Sequence, residues 1–166
     1  MVFIRDATLG DCPEILTMLN ELQFYEQFPC SKITLDMLEK NGAFRDSNSS
    51  TSGERHFRAI IAQDETSGDT CGYSLYYYAW SSSKGKLLFL EELYVRDRYR
   101  GQKIGAALMC EILKTATNDL VDVHLEVLNW NQNSIQFYEK FGFKLLYKSR
   151  NDTWLTYCKK YPSIII

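Results

Sequence analysis

Two histidines and five cysteines among 166 residues leave little from which to assemble a metal centre. Cys12, Cys30, Cys71, Cys110 and Cys158 are scattered and odd in number, and none forms a C-x-x-C pair. That argues against a disulfide framework and against a zinc site. His56 and His124 are too few to change that reading, so no metal is expected. Neither sign of charge prevails: 19 Lys and Arg stand against 21 Asp and Glu, for a net charge of −2. Such a chain has no electrostatic footprint for nucleic acid or an anionic membrane. Its apolar runs stay far short of the roughly 20 residues of a bilayer span. The opening MVFIRDATLGDC carries charges too early for a secretory signal, and the expected address is cytoplasmic, with reduced thiols.

Apolar residues make up 45% of the chain and charged residues 24%, which suits one globular domain, 1–166, with a full hydrophobic core. FIRDA starts a short strand. Asp11, with Glu14 three residues on, reads as an N-cap. Ile15, Leu16, Leu19 and Leu22 give a helical stripe that ends before Pro29. TLDMLEKNG predicts a second helix, capped by Thr34 and closed near Gly42. The Ser-rich stretch 44–55 reads as a mobile surface loop. HFRAIIAQ and TCGYSLYYYAW are strands around a turn, and KLLFLEELYV (86–95) reads as a strand buried on both faces. Ile104, Leu108, Ile112, Leu113 and Ala116 mark a long helix, and VDVHLEVL a further strand. NWNQNSIQFYEKFGF predicts a helix capped by Asn133 and closed by Gly142. FKLLYK and TWLTYCKK finish as strands before a short apolar tail, 161–166. Short turns make the N-terminal strands antiparallel, whereas the strand–helix–strand passage from 86 to 128 demands a parallel pair. The expected fold is mixed α/β: a mixed, mostly antiparallel twisted sheet of about seven strands with helices on both faces.

Between the buried strand and the long helix lies YRGQKIGAAL (99–108). Its glycines leave backbone N–H groups uncovered at a helix N-terminus, which favours an anion, and Arg100 and Lys103 add positive charge. A tight turn that needs glycine for its dihedrals accounts for the same residues. Glu91 and Glu92 interrupt an otherwise apolar strand, where carboxylates are costly unless partnered or solvated from a cleft. Consecutive strand residues point to opposite faces, so the two do not share a proton. At least one then lines a wet cavity, or the pair ends the strand in an ion pair with an arginine. Tyr138 shares an apolar helix face with Ile135 and Phe141 and is a core residue by default, although its hydroxyl could reach a cleft. Tyr76, Tyr77, Tyr78 and Trp80 read as sheet packing, because no basic surface accompanies them.

RGQKIG after a buried strand, followed by NWNQNSIQFYEKFGF, resembles the GCN-five-related N-acetyltransferase superfamily. There an R/Q-x-x-G-x-G/A turn holds the pyrophosphate of acetyl-CoA, and an N-x-x-[AS]-x-x-x-Y helix carries a catalytic tyrosine. DCPEILTMLNELQFYE, YYYAWSSSKGKLLFLEELYV and VLNWNQNSIQFY look like its spermidine/spermine and thialysine acetyltransferase branch, a likeness running from IRDAT to Trp154. The resemblance implies an acetyl-CoA-dependent N-acetyltransferase in which a primary amine attacks directly in a ternary complex, without a metal. Arg100, Gly101, Gln102, Lys103, Ile104, Gly105 and Ala106 would hold the pyrophosphate. Leu93, Tyr94 and Val95 would offer backbone N–H groups to the reacting acetyl oxygen. Asn131, Gln132, Asn133, Ser134 and Tyr138 would complete the CoA contacts. Lys103 stands where the pattern has its first glycine; the expectation is an ordinary helical-entry dihedral rather than a strained left-handed one. An alkyl ammonium has a pKa of about 10.4 and must lose a proton before it attacks. Glu91 would attract it and help remove that proton, with Glu92 as charge partner, and Tyr138 would protonate the departing thiolate.

Tyr25 and Glu26 match the branch's acceptor-site pair, and contacts from His124, Leu125 and Glu126 are implied as well. Trp130 and Trp154 could flank an aliphatic amine. WSSSKGK looks like the thialysine-type turn, and Lys84 within it would repel a polycation and favour an acceptor bearing a carboxylate. The expected acceptor is a small primary amine of the thialysine or lysine-analogue kind, with diamines and polyamines weaker. A protein or peptide N-acetyltransferase, or a non-catalytic module that binds acetyl-CoA or polyamine, are the competing classes. The branch also implies a homodimer.

Overall fold

The computed structural model describes residues 1–28, 32–44 and 55–162. Residues 45–54 of the Ser-rich stretch and 163–166 of the apolar tail lie outside the described residues, and with them the expectation of a mobile loop. The strands are β1 (Val2–Asp6), β2 (Arg58–Asp64), β3 (Thr70–Ser81), β4 (Gly85–Val95), β5 (Val123–Leu128), β6 (Lys144–Lys148) and β7 (Trp154–Lys159). Four α-helices stand among the described residues: α1 (Cys12–Tyr25), α2 (Leu35–Asn41), α3 (Ile104–Asn118) and α4 (Gln132–Lys140). The sheet has seven strands in the order β1-β2-β3-β4-β5-β7-β6. It is mixed, as expected: β1–β2, β2–β3, β5–β7 and β6–β7 are antiparallel, and β4–β5 is parallel. The crossover between the parallel strands contains α3, and all five residues of its predicted stripe are buried. No helix among the described residues is long and apolar enough to cross a membrane.

Two compact units divide the chain: Met1–Tyr77 with Glu92–Glu111, and Tyr78–Glu91 with Ile112–Ile166. In the first, Ile15, Met18 and Leu19 of α1 share a core with Ile61 of β2 and Tyr73 of β3. Each large side chain removed from water there contributes roughly 1.5–3 kcal/mol. Gly72 of β3 is obligatory, because a Cβ at that position would lie 2.5 Å from the carbonyl oxygen of Tyr94.

Asp11 stands at the N-cap of α1 as expected, but its side chain makes no capping bond to the helix. The carboxylate instead accepts both prongs of the Arg5 guanidinium at 2.8 Å, together with the Thr8 backbone N–H at 2.7 Å and the Thr8 hydroxyl at 2.8 Å. A planar donor pair matched to a carboxylate outcompetes a single helix N–H. Thr34 caps α2 as expected, accepting from Met37 N–H at 3.3 Å.

In the second unit β5 is held on both sides. Leu88, Phe89 and Leu90 of β4 run parallel to Val123, His124 and Leu125, and β7 pairs antiparallel along the whole of β5. Alternation sends the side chains of Val123 and Leu125 into the core, both nearly inaccessible. The opposite face carries cross-strand pairs in succession: His124 with Cys158, Glu126 with Thr156, Leu128 with Trp154. The N-cap of α4 is Asn131, not Asn133. The N–H of Asn131 bonds to the Leu128 carbonyl at 2.9 Å, so the chain turns immediately after β5 and the Asn131 side chain accepts Ser134 N–H at 3.2 Å. Asn133 is left inside the first helical turn. Gly142, at φ +82°, closes the helix as predicted.

Candidate active site

The first group of candidate residues surrounds the turn from β4 to α3. Gly101 has φ +77° and Lys103 φ +63°, both left-handed. The expectation of an ordinary dihedral at Lys103 is therefore corrected. The chain must reverse direction just before α3 while the Lys103 carbonyl already accepts Ala107 N–H at 3.0 Å. A non-glycine residue in that region costs on the order of 1–2 kcal/mol. First-turn N–H groups of a helix have no carbonyl behind them, and left-handed residues next to them curl neighbouring N–H groups into a concave anion site. A Cβ on Gly101 would meet nothing within 4 Å, so the turn stands open. Gln102 and Lys103 are exposed, Gly105 and Ala106 half-buried, and Ile104 is buried as the anchor of α3.

Arg100 braces this turn by donating from Nε to the Val95 carbonyl at 3.0 Å and pairing with Asp97 at 2.8 Å. Its guanidinium lies 5.8 Å from the ring centres of both Tyr25 and Tyr94, within cation–π range. Arg96 pairs with Glu14 at 2.8 Å and Glu21 at 3.4 Å and donates to the Thr70 carbonyl at 3.1 Å. Arg96, Arg98 and Arg100, with Glu21, Tyr25 and Tyr94, line a cleft of about 680 Å³. Burial, then the hydrogen bond and charge of Glu21, push the Tyr94 hydroxyl up to about 12, so it stays protonated. The open N–H groups and the cations of Arg100 and Lys103 fit a diphosphate ester.

The buried Tyr73 donates its hydroxyl to the Glu92 carboxylate, and Ser74 Oγ donates to the Glu92 carbonyl at 2.9 Å. Burial, followed by the charge and hydrogen bond of Glu92 and the charge of Glu26, holds the Tyr73 hydroxyl far above its ordinary value. Burial also raises Glu26. Glu92 is engaged by Tyr73, and the charge of Glu126 acts on Glu91.

Glu91 and Glu126 follow directly on Leu90 and Leu125, which are paired in the parallel register. Both are exposed. The strands nonetheless withdraw enough water that burial, with the charge of Glu126 second, raises the Glu91 carboxyl above its ordinary value. Glu126 is oriented by Thr156, whose hydroxyl donates to it at 3.1 Å. Within the 124–126 segment only the Glu126 side chain is exposed; Leu125 is core, and His124 is 8% exposed. Burial, then the ammonium of Lys84, pushes the His124 imidazole below its ordinary value.

Tyr138 is buried on α4, its ring edge-to-face with Phe137 at 5.5 Å and Phe143 at 6.0 Å between centroids. Asn131 is buried as the cap of that helix, while Gln132 and Asn133 are exposed and Ser134 is half-buried. Trp130 is 45% exposed and Trp154 half-buried. Leu93 and Val95 are half-buried. Sequence reading missed Tyr73, Arg96 and Thr156. The alternation RDRYR (96–100) was a signal for the arginine, whereas Tyr73 and Thr156 look like ordinary strand residues.

A family model described as the acetyltransferase (GNAT) family matches residues 16–143. Thialysine N-epsilon-acetyltransferase of Bos taurus is 33% identical over 150 residues, covering 85% of this chain and 83% of the relative. Spermidine/spermine N(1)-acetyltransferase-like protein 1 of Homo sapiens is 36% identical over 147 residues, covering 84% of this chain but 20% of the relative. The crystal structure of the PaiA N-acetyltransferase of Thermoplasma acidophilum in complex with coenzyme A superposes with TM-score 0.68 at 19% identity, over 97% of this chain and 99% of the other, and agrees in fold.

Proposed function

The chain belongs to the GNAT acetyltransferase family, and from that premise we propose the acceptor and the residue roles of this acetyl-CoA-dependent N-acetyltransferase. The acceptor is the primary amine of a small cation of the thialysine or lysine-analogue kind, with diamines and polyamines weaker. The observation that carries this reading is the Glu91–Glu126 pair: two exposed carboxylates at the end of a parallel strand pair, Glu91 raised by burial and then by the charge of Glu126. Two negative charges attract an ammonium ion, and a carboxylate with a raised pKa is a better proton acceptor than an ordinary one.

Acetyl-CoA supplies the acetyl thioester when bound. The left-handed turn at Gly101 and Lys103 fits its diphosphate, and Arg100 adds charge at the rim. Tyr138 supplies the proton that the leaving thiolate needs. Tyr25, Glu26 and Glu92 bind the acceptor. Lys84 favours an acceptor with a carboxylate, a reading supported by its field at His124, two residues from Glu126 on one face of β5.

The exposed Leu145, Leu146 and Tyr147 of edge strand β6 support a homodimer through the C-terminal strands. Cys71, Cys110 and Cys158, which the structure holds as thiols, support a reducing, cytoplasmic address. The testing experiment is thiol release from acetyl-CoA with thialysine, lysine, spermidine, putrescine and an N-terminal peptide as acceptors. Thialysine is expected to lead. A leading peptide would replace the small-amine reading, and silence with all five despite acetyl-CoA binding would favour the non-catalytic module.

A further inference from the structure

The β5–β7 register brings together three side chains that the sequence holds far apart. His124 stands directly opposite Cys158, and Asp122 precedes His124 by two residues, on the same face. One ligand atom from each of Asp122, His124 and Cys158 lies within 4.8 Å of the other two. His124 is 8% exposed and Cys158 6%. The His124 Nε2 is buried with no hydrogen-bond partner among the described residues. A buried polar atom left in that state is costly, and native structures rarely keep one without an ion, a water or a function. Asp122 is only half-buried and opens the cluster to solvent, while one of its oxygens is steadied by Tyr161 N–H at 2.9 Å.

We propose that Asp122, His124 and Cys158 form a binding site for a borderline-soft divalent transition metal, zinc above all. An imidazole nitrogen, a thiolate and a carboxylate oxygen are zinc's three ordinary donor types, and three of them leave the fourth tetrahedral position to solvent. Carboxylate and oxygen-only ions such as magnesium and calcium have no use for the sulfur. On binding, the Cys158 thiol gives its proton to solvent and its sulfur lone pair to the metal; no electron is transferred. The thiolate and the Asp122 carboxylate then balance the dication. Lys84, whose ammonium acts on both His124 and Cys158, opposes it.

Cobalt(II) titrated into the full-length chain, stripped beforehand with a chelator, reads the sulfur directly. The expected result is one cobalt per chain, with a thiolate-to-cobalt charge-transfer band and tetrahedral visible bands that zinc abolishes. Cys158→Ser should lose the charge-transfer band, and Asp122→Asn should weaken zinc binding by at least about tenfold. Cys110→Ser should change nothing, and Lys84→Ala should tighten binding severalfold. A band absent from the wild type, retained in Cys158→Ser or lost in Cys110→Ser would overturn the site. Should Cys158→Ser fail to fold, unweakened zinc binding in Asp122→Asn would overturn it instead.

Discussion

Lys103 holds a backbone conformation that glycine would adopt without strain, yet its exposed side chain carries a charge proposed for acetyl-CoA binding. The two contributions separate by mutation. Lys103→Gly should raise unfolding stability by about 1 kcal/mol and weaken acetyl-CoA binding severalfold. Lys103→Ala should weaken binding as much without gaining stability. Urea unfolding and the KM for acetyl-CoA check both; equal stability in the two variants would refute the strain. Tyr138→Phe should lower kcat by about 100-fold with little change in acetyl-CoA affinity, and an unchanged kcat would remove it as the proton donor. Glu91 stood out in the sequence because it interrupts an apolar strand, and Tyr138 because it ends the N-x-x-S-x-x-x-Y pattern that carries the resemblance. Tyr73 was not, since a tyrosine in a tyrosine-rich strand reads as packing until a carboxylate is found at its hydroxyl. The backbone of Lys103 was illegible for a related reason: the residue type argues against a left-handed dihedral, and only the geometry of the turn overrides it.

At the scale of elements, stripes and turn residues gave the seven strands and four α-helices of the described residues, because periodicity records which face is buried. Caps were harder, since a capping side chain has competitors that sequence spacing does not reveal. Asp11 is the clear case: burial alone would raise its carboxyl, but the bonds from Arg5 and Thr8 outweigh burial and hold it below the ordinary value. A carboxyl whose folded pKa lies below its unfolded one contributes stability above the unfolded value and loses it as pH falls through the folded value. Asp11→Asn should therefore cost about 2 kcal/mol at neutral pH, with the difference shrinking under acid. Unfolding at the two pH values tests this, and a pH-independent loss would contradict it. Glu91 has the opposite sign. Its raised carboxyl opposes folding once ionised, so Glu91→Gln should stabilise by up to about 0.5 kcal/mol at neutral pH, a gain that fades below the unfolded carboxyl pKa.

At the scale of the whole molecule, the strand order decides what no local reading could. Glu126 gains Thr156, and His124 gains Cys158, only because β7 returns beside β5, some thirty residues further along the chain. The same pairing leaves β6 as an exposed edge. Non-local register is invisible to periodicity, which is why the carboxylate acting on Glu91 and the trio around Cys158 emerged from the fold alone.

The central claim is that the Glu91–Glu126 pair receives an ammonium ion and relieves it of a proton. Its most direct test is kcat/KM against pH for the wild type and Glu91→Gln, with thialysine as acceptor. The account predicts a deficit of about 100-fold near neutral pH that narrows as the amine deprotonates unaided. A deficit constant across the range would contradict it, leaving Glu91 a role in binding or folding and none in proton removal.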